Sequence, residues 1–113
     1  MTSEPGPTFT KIERETLWNA VEGTHLIEIR NDVPDPGYPL ETYRSEVGRA
    51  VKRLADAGLI TLFLGAWGEE ATRTIGISEA MARISDGTAW DPDQAELISI
   101  EATEEGRFVA MSL

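Results

Sequence analysis

Apolar positions recur at helical spacing as soon as the chain leaves its first nine residues. Leu17, Ala20 and Val21, with Ile12 a turn or more earlier, predict a helix over 11–22. Thr10 followed by Glu13 has the spacing of a capping box, and Gly23 supplies a stop. Leu26, Ile27 and Ile29 then fit a short helix over 25–32, although Ile27 and Ile29 also alternate as in a strand. VPDPGYP, with three prolines and a glycine, ends that element. Val47, Ala50, Val51 and Leu54 fall at i, i+3, i+4 and i+7, one face of a third helix over 40–57. Gly58 stands where a left-handed C-terminal cap belongs. Gly48, inside that helix, costs about 1 kcal/mol against alanine, and close approach of another backbone would justify it.

The pattern then changes from period 3.6 to period 2. Leu59–Leu64 (LITLFL) predicts a strand, residues 65–70 a turn, and Thr72–Ile77 the returning strand of a hairpin. Ser78 has the chemistry to cap a short helix, SEAMARIS, with Met81 and Ile84 facing inward. DGTAWDPDQ reads as a loop, and Leu97, Ile98 and Ile100 open another strand. The TEEG that follows is either a hairpin turn or the start of a last short helix. Phe108, Val109 and Met111 suit a strand and favour the hairpin. MTSEPGPTF, residues 1–9, reads as a flexible leader, and 10–113 as one domain with 78–113 as its extension.

Composition narrows the function. The chain of 113 residues is 41% hydrophobic and 27% charged, a globular balance. No apolar run reaches the roughly 20 residues of a membrane span, so no membrane partner is expected. With no cysteine, disulfides, thiolate metal sites and cysteine nucleophiles are excluded, and a reducing cytoplasm is the expected location. The net charge is -10, from 10 Lys+Arg against 20 Asp+Glu. Only residues 41–57 run the other way, with four basic and three acidic side chains.

That basic segment leads into RAVKRLADAGLITLFLG, residues 49–65. Ser45, Val47, Lys52 with Arg53, Leu54, Gly58, Leu59 and Ile60 resemble the winged helix-turn-helix family, in particular its MarR-like and PadR-like regulators. The resemblance covers roughly residues 11–77. It implies an α+β fold: a winged helix-turn-helix with three N-terminal helices, a β-hairpin wing and a C-terminal α/β extension. It also implies a third helix lying in the major groove of DNA. Thr42, Tyr43, Arg44, Ser45 and Arg49 would then face base edges, Lys52 and Arg53 phosphates, and Arg73 the backbone from the wing. A homodimer is compatible with that arrangement.

Two features depart from a DNA reader. The wing turn carries Glu69 and Glu70, where counterion release would call for lysine or arginine. The third helix nets only one positive charge, and Asp56, three residues beyond Arg53, makes helical ion pairs available to its basic end. The alternative is a non-enzymatic protein-interaction module with the same fold, binding a basic partner or acting as a DNA mimic. Trp67, among the glycines and acids of the wing turn, joins Glu69 and Glu70 as its candidate contact surface. Trp18 and Trp90 are expected in or near the core.

No catalytic constellation emerges, and no cofactor or metal site is expected. His25 is the only histidine, so it lacks metal-binding companions, and nothing in sequence arranges a serine and an acid around it. Asp91–Asp93 lacks the alternating ligands of a calcium loop and reads as a turn.

Overall fold

The computed structural model describes residues 9–29, 39–66 and 73–113. In chain order they form α1 (Lys11–Glu22), β1 (Thr24–His25), α2 (Leu26–Ile29), α3 (Leu40–Asp56), β2 (Ile60–Gly65), β3 (Arg73–Thr74), α4 (Ile77–Asp86), a 3-10 turn at Thr88–Trp90, β4 (Leu97–Ala102) and α5 (Glu104–Met111). The fold is α+β, with one antiparallel sheet in the order β1-β4-β2-β3.

α1 begins and ends as the sequence predicts. The Thr10 hydroxyl accepts from the Glu13 N–H, and the Glu13 carboxylate accepts from the Thr10 N–H at 2.7 Å. This reciprocal pair satisfies two donors that a helix start would otherwise leave open. The buried stripe is Glu13, Thr16, Leu17 and Ala20. Trp18, expected near the core, is instead 44% exposed. It lies 100° around the helix from Leu17, so the two side chains cannot both face inward.

In the next segment Ile27 and Ile29 take the helical alternative, and a short strand precedes them. Thr24–His25 pair as a strand with β4, and Leu26–Ile29 turn into a short helix. The rest of the predicted 25–32 element lies outside the described residues, as does the leader up to residue 8. α3 matches its prediction to within a residue. Its end is a Schellman motif: the Leu59 N–H donates to Leu54 and the Gly58 N–H to Ala55, with Gly58 at φ +75°. Gly48 makes room for a side chain, not a backbone. A Cβ there would stand 3.0 Å from Cγ2 of Ile84 on α4.

The predicted hairpin forms, but only in part. β3 is two residues long and pairs only with Phe63 and Leu64 of β2. The full length of β2 pairs with β4, from Ile60 opposite Ala102 to Gly65 opposite Leu97. The last strand thus lies between β1 and β2, and α4 belongs to the segment connecting β2 to β4. Ile60, Leu62, Leu64, Ile98 and Ile100 face the helices, joining Leu17, Val47, Val51 and Leu54 in the core. Thr61, Phe63 and Ser99 on the other face are partly exposed and Glu101 is exposed, the alternation of a sheet covered on one side.

Two further boundaries change. α4 starts at Ile77 with Gly76 as its N-cap, so Ser78 lies inside the helix and does not cap it. Residues 104–111 form α5 and not a returning strand. The Thr103 hydroxyl accepts from the Gly106 N–H, and Glu104 and Glu105 occupy the first turn, where negative charge is favoured. Gly106 serves close approach: a Cβ there would fall 1.9 Å from the Leu59 carbonyl oxygen. Thr103 fastens the same junction by donating from its N–H to Leu59 O and from its hydroxyl to Gly58 O, at 2.9 and 2.8 Å.

Replacing Gly106 by alanine is therefore expected to push α5 off β2 and cost about 1–3 kcal/mol or more, the range for overpacking a tight contact. Thermal and urea denaturation would measure it. An unchanged midpoint would mean that the contact relaxes freely.

Candidate functional site

The candidate DNA-reading residues lie on α3, apart from Arg73 on β3, and the structure sorts those of α3 by face. Tyr43 belongs to the interior. It is 1% exposed, and its hydroxyl donates to the Ile29 carbonyl at 3.2 Å, tying α2 to α3. It cannot present itself to a base edge, which corrects the expectation for that residue. Tyr43, Val47, Ala50, Val51 and Leu54 share the buried stripe, so the i, i+4 rule that identified the helix also places Tyr43 on its inner side. Thr42, Ser45 and Arg49 are exposed, as are Lys52 and Arg53.

Four of the five candidate cations already have partners. Arg44 lies on the flank facing α4, its guanidinium 5.7 Å from the ring centre of Trp90. Lys52 Nζ is 2.7 Å from the carboxylate of Asp56, one turn on. Arg53 is paired with Glu13 and lies 4.9 Å over the Phe9 ring. Arg73 is 3.3 Å from Glu79 and 4.0 Å from Glu96. Among the described residues neither Arg44 nor Arg49 has an ion pair, and Arg49 lacks an aromatic partner as well.

These pairs differ in strength. Lys52–Asp56 is a half-exposed i,i+4 pair, worth about 0.3–0.5 kcal/mol, and a phosphate could displace it. Arg53–Glu13 is different in kind. Glu13 is 8% exposed, and its carboxylate also closes the α1 capping box. Taking Arg53 away would leave a buried carboxylate short of its cation, which is costly. Arg53 is thus a structural cation joining α1 to α3.

Trp67, Glu69 and Glu70 lie outside the described residues. An exposed apolar surface stands on α5, where the residue pattern favours a strand. Phe108 and Met111 are three residues apart on its outer side and 74% and 76% exposed. Glu104 and Glu105 precede them on the same helix, and Leu113 beyond its end is also half exposed. The signal available in sequence was Thr103 followed by two acids, a helix start.

His25 stands beside a serine that sequence spacing does not suggest. Its Nδ1 is 2.9 Å from the Ser99 hydroxyl, 74 residues away, because β1 and β4 set the two residues directly opposite each other. The nearby Glu28 carboxylate accepts from the Thr24 hydroxyl and from the His25 N–H. This corrects the expectation that no serine meets the histidine. The contact is a cross-strand pair that fixes register.

The loop after α4 is held by Asp86. Its carboxylate accepts from the Thr88 hydroxyl at 2.7 Å and from the Thr88 N–H at 2.9 Å. Those bonds, the hydroxyl first, hold the Asp86 carboxyl below the usual carboxylate range, with help from Arg83. Farther along, Asp91 accepts from the Asp93 N–H and the Gln94 side-chain amide, as an aspartate does in a turn. Trp90 is buried beneath this loop as expected. Among the described residues, no cluster of three or more histidines and carboxylates could hold a metal ion. No helix among them is long and apolar enough to cross a membrane. Compared with protein-family models, curated proteins and solved structures, the chain matches none.

Replacing Thr88 by valine removes the stronger of the two bonds to Asp86 and should raise its pKa toward the ordinary carboxylate value. A group with a depressed folded pKa stabilises above its unfolded pKa and loses that contribution as pH falls through the folded value. The variant should therefore show less loss of stability on acidification from this group. A carbon-detected NMR titration of the Asp86 carboxyl tests this, and an unmoved midpoint would remove Thr88 as the cause.

Proposed function

We propose that the chain is a winged-helix variant that acts as a non-enzymatic protein-interaction module for a basic partner, and not as a DNA reader. The element order supports the winged-helix part. A helix, a short strand, two helices and a strand come first, and the closing strand β4 enters the sheet between β1 and β2. In this reading β2 and β4 are the wing strands, and the segment with β3 and α4 is an insertion between them.

The observation that carries the rest is the state of the cations on the α3 side. Lys52, Arg53 and Arg73 are ion-paired inside the molecule, and Arg44 is held half-buried against Trp90, which leaves Arg49 as the one exposed candidate cation without a partner among the described residues. Phosphate binding draws its strength from many cations releasing counterions together. Two candidate arginines without a carboxylate partner, one of them half-buried, supply little of that on a chain of net charge -10. The exposed Phe108 and Met111 share their short helix with Glu104 and Glu105 against one arginine, Arg107, a net negative surface of the opposite chemistry. Apolar anchors within an acidic surface suit a partner that brings its own apolar pocket and a basic rim.

Two measurements test this together. Titration with random-sequence duplex DNA at low and moderate salt should show no salt-sensitive binding, and a retarded complex at low salt would overturn the reading. Capture from lysate with the wild-type chain and with a Phe108→Ser, Met111→Ser double variant should yield a basic protein only with the wild type. The complex should re-form from purified components and dissociate on adding salt. Equal capture by both chains would remove α5 as the contact. Recovery of the chain alone would point to a homodimer in place of the basic partner.

A further inference from the structure

A cleft of about 470 Å³ lies between α3 and α4, within the size range of small-molecule sites. Met81 and Ile84 of α4 and Trp90 give it apolar walls, and Gly48 lines it on the α3 side where Ile84 packs against that helix. Arg44 and Arg49 line it from α3, together with Glu41. Two guanidiniums and one carboxylate leave this cleft with one positive charge, in a chain that is otherwise strongly negative.

Arg44 carries an unmet demand. Its Nε is shielded from solvent and has no hydrogen-bond partner. A buried donor left without an acceptor is costly, and a charged one more so. Trp90 faces the guanidinium as a ring, a contact that orients the plane but accepts no ordinary hydrogen bond from that N–H. The geometry points to an anion-binding site here: the α3–α4 cleft takes a small monocarboxylate with an aliphatic body. A small rotation of the guanidinium brings the Arg44 Nε–H and an Nη–H side by side onto the two carboxylate oxygens, the fork geometry that arginine offers and lysine does not. Arg49 faces the same anion from the rim. The aliphatic body lies against Met81 and Ile84. Glu41 makes the site select a single negative charge, because a dianion would meet its carboxylate with only one positive charge to spare.

This site is separate from the α5 surface and does not depend on what α5 binds. Its test uses the intact, isotope-labelled chain with hexanoate as the probe and hexanol as the neutral counterpart. Hexanoate should produce saturable NMR shifts at the Arg44 Nε–H, the Gly48 amide and the Ile84 methyls, and hexanol should not. Arg44→Lys keeps the charge but loses the fork, and should weaken hexanoate binding about tenfold or more. Arg49→Gln alters only an exposed side chain, so it keeps the fold while weakening binding severalfold. Equal shifts with hexanol, shifts scattered over other arginines, or hexanoate binding unchanged in Arg49→Gln and in a folded Arg44→Lys would each overturn the assignment.

Discussion

The constraint on which the rest depends is the insertion of β4 between β1 and β2. Until it arrives, β1 has no partner among the described strands, and β2 has only the two-residue edge pairing with β3. The described helices between them are therefore organised around a closure made late in sequence. Such long-range pairing incurs its loop entropy before any of its contacts form. What offsets that cost is the alternation on β2 and β4, which places Leu62 beside Ile100 and Leu64 beside Ile98 on the covered face. A register slip of one residue would bury Glu101 and Ser99 and expose the isoleucines.

Several other features follow from that closure. Bringing β4 beside β2 delivers Thr103 to the end of α3, where it bonds Gly58 and Leu59 and starts α5. The same closure folds the segment between the strands back onto the α3 flank, so that Ile84 meets Gly48 and Trp90 meets Arg44. A glycine in the middle of α3 is costly for the isolated helix and necessary for this contact. The intrinsic preference of the helix and the packing of the fold oppose each other there, and packing prevails.

Much of this was legible locally. The capping box at Thr10, the buried stripe of α3 and the left-handed Gly58 are rules about neighbours in sequence, and each appears where the residues placed it. What failed was anything decided by a partner far away. LITLFL was correctly a strand, but its main partner lies across the α4 segment, not across the nearest turn. Phe108, Val109 and Met111 have strand chemistry. Yet Thr103 and two acids start a helix before them, and Gly106 can sit on the Leu59 carbonyl only because it has no Cβ. Of the candidate site, the location of the basic cluster was readable and the engagement of its members was not. Arg53 meets Glu13 forty residues away, and no helical spacing rule anticipates that pair.

The two opposing signals in the sequence, a DNA-reader helix and a strongly acidic chain, meet in those pairs. An isolated α3 would net one positive charge and expose four cations. Folding brings Glu13 from α1 to Arg53 and lays Trp90 against Arg44, so two cations gain intramolecular partners from outside the helix. Lys52 is held within the helix by Asp56. Charge counted along a segment therefore overstates what a polyanion would encounter, because tertiary contacts commit the cations before any ligand arrives. Arg44 is the instructive case. Its partner is an aromatic face and not a carboxylate, so its charge is placed without being neutralised. A cation held in that way is poorly arranged for a flexible row of phosphates, and well arranged for one small anion entering beside it.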